Sequence, residues 1–108
     1  MKVSELIAIP EFCEICCPDP EREIEGVYIG DLLSWVMGRA TSADAWITIM
    51  SNINTVAVAT LVDTSVIILS EGVTLEDEVK TAAQSKGINV VSTALTSFQA
   101  AVKLAELI

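Results

Sequence analysis

Residues Ala45–Leu69, AWITIMSNINTVAVATLVDTSVIIL, carry no charged side chain before Asp63. A chargeless run this long raises the question of a membrane span. Thr48, Ser51, Asn52, Asn54, Thr55 and Thr60 interrupt it, and such polar groups are costly in lipid. The run divides instead into Ala45–Met50 as a strand and a Ser51-Asn52 turn. A helix follows with Ile53, Val56, Ala57, Thr60 and Leu61 on one face. Asp63-Thr64 then breaks the chain, and Ser65–Leu69 forms a second, fully buried strand. Strands that are apolar at every position belong to sheets covered on both faces.

Downstream, Thr74-Leu75-Glu76-Asp77 reads as a helix start, with Thr74 as the cap and the acids at the positive end of the dipole. That helix is predicted to reach Lys86, with Gly87 supplying a left-handed stop. Ile88–Val91 is a third strand. Thr96-x-x-Gln99 forms a capping box for a last helix whose apolar stripe is Phe98, Ala101, Val102 and Ala105. From residue 45 onward the order is β-α-β-α-β-α with short connections, which argues for parallel strands joined by right-handed crossovers. Upstream, Ser4 starts a brief helix that Pro10 stops. Phe12–Cys17 is a strand closed by Pro18-Asp19-Pro20, and Gly26–Ile29 is another extended piece. Asp31 reads as the N-cap of a helix holding Leu32, Leu33, Val36 and Met37, which Gly38 and the polar run to Asp44 end. The expectation is one α/β domain over 1–108, three-layered, with a mixed and mostly parallel sheet and extra strands at an edge.

The net charge of −9, with no histidine, opposes nucleic-acid backbones and anionic membranes. The acids are dense near the N-terminus, where Glu5, Glu11, Glu14, Asp19, Glu21, Glu23, Glu25 and Asp31 face only Lys2 and Arg22. This reads as a solvated edge or as a face for a basic partner. Hydrophobic residues make up 52% of this small chain, so a partner subunit is expected to cover some of them. The N-terminus has no basic region followed by an apolar run and a cleavage site, which points to a cytoplasmic protein.

Enzyme signatures are missing. The five glycines are scattered, no phosphate-binding or dinucleotide motif occurs, and without histidine no Ser-His-Asp or Cys-His pair can form. No cofactor is implied. Cys13, Cys16 and Cys17 form C-x-x-C-C, which reads as buried small hydrophobes, as metal or cluster contacts within a dimer, or as a redox group. In open α/β sheets ligands sit at the carboxyl ends of strands. Asn54, Ser70, Glu71, Gly72, Ser92 and Thr93 follow the three strands there, either as a ligand-binding crevice or as ordinary cap and turn residues.

Several runs taken in order resemble the DRTGG domain. They are GVYIGDLLS (Gly26–Ser34), AWIT (Ala45–Thr48), NTVAVA (Asn54–Ala59), VIILSEG (Val66–Gly72) and VVST (Val90–Thr93), with Phe98. The resemblance spans nearly the whole chain and is closest to small stand-alone members. Related domains precede the kinase domain of HPr kinase/phosphorylase and accompany CBS domains in some inorganic pyrophosphatases and in phosphotransacetylases. The resemblance implies a three-layer α/β/α fold, a dimer or larger assembly, and a regulatory or assembly role without catalysis. Some stand-alone copies lie near iron-only hydrogenase genes, which implies a possible protein partner in a redox enzyme system. The name-giving string itself does not occur. Ser70-Glu71-Gly72 stands where many members have a glycine pair, and nothing matches the kinase P-loop. Three functions are therefore carried forward: a homodimeric regulatory module with a small, nucleotide-like ligand, an interaction subunit of a larger redox enzyme, and a small metal or redox protein using the cysteines.

Overall fold

A computed structural model describes all residues, Met1–Ile108. The elements are α1 (Val3–Ile7), β1 (Phe12–Cys16), β2 (Gly26–Ile29), α2 (Leu33–Arg39), β3 (Asp44–Thr48), α3 (Ile53–Val62), β4 (Val66–Leu69), α4 (Asp77–Ser85), β5 (Val90–Thr93) and α5 (Ser97–Ala105). The strands form one sheet in the order β1-β5-β4-β3-β2. β2 to β5 are parallel neighbours and β1 runs antiparallel to β5.

The direction of winding sorts the helices into layers. Each crossover from β2 to β5 steps the same way across the sheet, so its three right-handed connections lie on one face. There Trp46, Ile67, Leu69 and Val90 pack with Val36 of α2, Val56, Val58 and Ala59 of α3, and Val79 and Ala83 of α4. On the opposite face Ala45, Ile47, Val66, Ile68 and Val91 meet Val3 and Leu6 of α1 and Ala100 and Leu104 of α5. Alternate strand residues thus feed two cores, the pattern expected of a sheet covered on both sides. The α/β/α layering agrees with the sequence expectation. No helix is long and apolar enough to cross a membrane.

The chain reaches β2 from β1 by crossing the whole sheet beneath the strands' amino ends. That crossing is stitched down residue by residue. Asn89 binds both backbone groups of Asp19, with Nδ2 2.7 Å from the carbonyl and the Asp19 N–H 2.9 Å from Oδ1. Ser65 donates its hydroxyl to the Glu23 carbonyl. Arg22 pairs with Asp63 at 2.9 Å and donates to its carbonyl at 2.7 Å.

Several local expectations are corrected. Asp31 does not cap α2; Leu32 holds that position without a side-chain bond, and Asp31 turns toward β3. Thr74 does not cap α4, which begins after Glu76. The strands expected over 45–50, 88–91 and 12–17 are Asp44–Thr48, Val90–Thr93 and Phe12–Cys16, so Ser92 and Thr93 lie inside β5 and not after it. The buried face of α3 is Thr55, Val56, Val58 and Ala59, while Ile53, Thr60 and Leu61 are exposed. That helix is apolar nearly all round, so periodicity could not single out one face. α5 buries Ala100 and Leu104, leaving Phe98 75% exposed and Val102 and Ala105 outside. The small Ala100 lets the helix approach the sheet, and this outweighs the larger side chains of the neighbouring stripe. The Thr96–Gln99 capping box forms as expected, and Gly87 has φ +72°.

Candidate functional site

The four parallel strands end on one side of the sheet, and their following loops share that end. Here the structure brings Ser70, Glu71, Gly72 and Thr93 together. Val73 N–H bonds the Ser70 carbonyl at 3.2 Å across Glu71 (φ +61°) and Gly72 (φ +74°), a turn whose two central residues are both left-handed. Gly72 adopts this conformation freely, whereas Glu71 is held there by its neighbours. The holding bonds are Glu71 N–H to the Leu95 carbonyl (2.9 Å) and Gly72 N–H to the Thr93 carbonyl (3.0 Å). Ser70 N–H bonds the Thr48 carbonyl at 3.2 Å. Four consecutive amides of this loop are therefore engaged with carbonyls and are not presented to an anion as a phosphate-cradling loop would present them.

The hydroxyls are also engaged. Buried Ser70 shares a 2.7 Å bond with Ser97 at the start of α5. Thr93 donates to the Glu11 carbonyl at 2.8 Å and accepts from Leu95 N–H at 3.2 Å. Lys103, 3.1 Å from Glu11 and hydrogen-bonded to it, holds that carboxyl below the ordinary range. Two predicted members stand apart. Asn54 is exposed in the first turn of α3, and its side chain makes no hydrogen bond. Ser92 is half-buried within β5, in register with Cys13, one residue out of phase with Thr93 and so on the other face.

Two features of this end escaped sequence reasoning. Asp31 Oδ1 accepts from Thr48 Oγ1 (2.8 Å) and from Ile49 N–H (3.0 Å), tying the loop after β2 to the end of β3. At the start of α5, the N–H groups of Ser97 and Phe98 find no acceptor within the chain, as the first-turn amides of a helix commonly do not. The signal for the second was present in the Thr96 capping box. The first depends on parallel pairing and left none. No pocket is enclosed in the chain.

The cysteines do not converge. Cys13 is exposed on β1. A bulge separates Glu14 from Cys16. Cys16 packs in the core under α2, α3 and α4 and donates to the Ile88 carbonyl at 3.6 Å, whereas Cys17 packs against the opposite core. Burial pushes both thiols up, Cys17 to about 12 with Glu14 adding to the rise. No group of three or more cysteine or carboxylate side chains is placed to hold a metal ion. A raised thiol favours folding only while the unfolded thiol is also protonated. The Cys17 contribution is thus intact below the ordinary thiol value of 9.0 and is lost as pH rises toward about 12. At neutral pH iodoacetamide is expected to label Cys13 of the native protein well ahead of Cys16 and Cys17, and all three equally in urea. Equal native rates by peptide mass spectrometry would contradict this placement.

No protein-family model and no curated protein matches the sequence. Among solved structures, the chain is similar to the CBS and DRTGG domains of the regulatory region of Clostridium perfringens pyrophosphatase, complexed with its activator diadenosine tetraphosphate. The TM-score is 0.71 at 16% identity, covering 92% of this chain and 44% of that one. The chain therefore spans less than half the length of that structure. The likeness establishes the fold, and it is the DRTGG-like α/β/α fold that the sequence resemblance implied.

Proposed function

We propose that this chain is a non-catalytic regulatory module that works as a homodimer and takes a nucleotide-like ligand at the carboxyl ends of its parallel strands. The observation that carries this reading is the shared fold with a regulatory region that binds a dinucleoside polyphosphate. The local geometry narrows how such a ligand would be held. The amides of residues 70–73 are engaged, so the donors open at that end are first-turn helix amides, among them those of Ser97 and Phe98 at the positive end of α5. Glu71 and Asp31 stand near the same loops, and the net charge is −9. A polyphosphate would therefore need a divalent cation alongside it. Ser70, Glu71, Gly72 and Thr93 then act as the framework that positions the α5 start, with Asn54 and Ser92 further out.

A thermal-shift panel of mononucleotides and dinucleoside polyphosphates, at millimolar concentration with and without magnesium, tests the reading. A ligand at about a hundredfold excess over its Kd adds about 2.7 kcal/mol of stability, which raises Tm by several degrees. Phe98→Asp places a carboxylate over the free amides, where it suits the helix, and is expected to abolish that shift while leaving the unliganded Tm in place. A panel with no shift would end the ligand part of the proposal.

A further inference from the structure

The two edges of the sheet are built differently. β1 carries the devices that blunt an edge: a bulge, the exposed charge of Glu14, and prolines at Pro10 and Pro18 on either side. β2 carries none of these. Its sequence, Gly26-Val27-Tyr28-Ile29 followed by Gly30, has no charge, no proline and no covering strand. Gly30 N–H points inward to the Ile47 carbonyl at 3.2 Å, so by alternation the N–H and carbonyl groups of Val27 and Ile29 face the open edge. The N-terminal segment covers this side only upstream, where Ile24 N–H meets the Met1 carbonyl at 2.7 Å.

The flank of this edge is apolar. Ile29, Leu32, Trp35 and Met37 are each about half exposed, and α2 fully buries only Val36. From Gly26 to Ala40 the charged residues are Asp31 and Arg39 alone, so the segment is neutral while the chain as a whole carries −9. That distribution selects the occupant. Two copies of an acidic chain repel one another except where the surface lacks net charge. A basic partner, by contrast, would be drawn to the acids elsewhere.

We infer that a second copy of this chain pairs with β2 antiparallel, about a twofold axis at Tyr28, joining the two five-stranded sheets into one. Val27 of one copy then lies opposite Ile29 of the other, and their outward backbone groups satisfy each other. The arrangement is isologous and closes on itself. It deepens the homodimer reading proposed above and rests on it.

Sedimentation of the untagged protein across a range of concentrations tests it; an N-terminal tag is avoided because Met1 lies in line with the edge. The wild type is expected to sediment as a dimer. Ile29→Lys is expected to weaken it by roughly thirtyfold or more, the loss typical of a central interface residue, with an unchanged circular dichroism spectrum. Tyr28→Cys in a Cys13→Ser background is expected to cross-link to itself under mild oxidation. A wild type that stays monomeric overturns both the homodimer and the edge. A wild-type dimer that survives Ile29→Lys unweakened leaves the homodimer standing and overturns the β2 edge. Should Tyr28→Cys fail to fold, Ile29→Lys decides alone.

Discussion

Trp46→Ala is expected to lower the free energy of unfolding by about 3–5 kcal/mol, a large share of the ~5–15 kcal/mol available to a domain of this size. Trp46 is fully buried in the middle of β3, between Tyr28 of β2 and Ile67 of β4, and faces the helices of the crossovers. Truncation removes its transfer free energy and leaves a cavity that the rigid strands on either side cannot close. It also removes a bond from Nε1 to the Gly30 carbonyl at 2.8 Å, which secures the point where the chain leaves β2. The two contributions separate experimentally. Trp46→Phe keeps most of the ring and forfeits the hydrogen bond, so about 1–2 kcal/mol is expected. Trp35 serves as the contrast, being half exposed with the Arg39 guanidinium 3.8 Å from its ring centroid. Urea midpoints at constant m-value measure all of this. A Trp46→Ala loss below about 1 kcal/mol would mean that Trp46 does not sit in a tightly packed core.

The strands from residue 45 onward were legible because each is apolar on both faces and bounded by turn residues. Both properties are local. Two helix starts were misread. Asp31 and Thr74 are good capping residues by type, but the N-cap of α4 is Glu76, two residues beyond Thr74. Asp31 is claimed by Thr48 and Ile49 of the adjacent strand, a contact set by the parallel pairing of β2 with β3. The faces of α3 and α5 were misassigned where apolar residues surround the helix or where a small residue decides the approach. At the candidate site, the grouping of Ser70, Glu71, Gly72 and Thr93 was legible from the rule that parallel strands present their carboxyl ends together. The engagement of the loop amides was not, because it depends on which carbonyls of β3 and of the β5 exit come within reach. The crossing from β1 to β2 left no sequence signal either, since its anchors, Asn89, Ser65 and Asp63, lie far along the chain.

Asn89→Leu is the sharpest test of that crossing, with an expected loss of about 3 kcal/mol. Asn89 is 2% exposed, just ahead of β5. Its amide makes three bonds. Oδ1 accepts from Asp19 N–H at 2.9 Å, and Nδ2 donates to the carbonyls of Asp19 at 2.7 Å and Ser65 at 2.9 Å. Leucine has the same branching and number of side-chain heavy atoms, so no cavity opens and the polar loss dominates. The Ser65 carbonyl would be left buried without this donor, and both backbone groups of Asp19 would lose their anchor; each such group costs about 1–3 kcal/mol when stranded, less where water can enter. Water can reach exposed Asp19 more easily than Ser65, so the three groups together are expected to cost about 3 kcal/mol, the low end of their summed range. The effect should also be local. Faster hydrogen exchange is expected at Asp19 and Arg22, in the segment that carries the chain to the β2 edge, before it appears in β3 and β4. A loss under about 1 kcal/mol, or exchange that rises uniformly, would mean that the two cores hold the crossing in place without the asparagine. The expected result would show instead that this buried amide is a principal anchor of the long connection placing β1 and β2 on opposite edges, and with it of the open strand on which the proposed self-association rests.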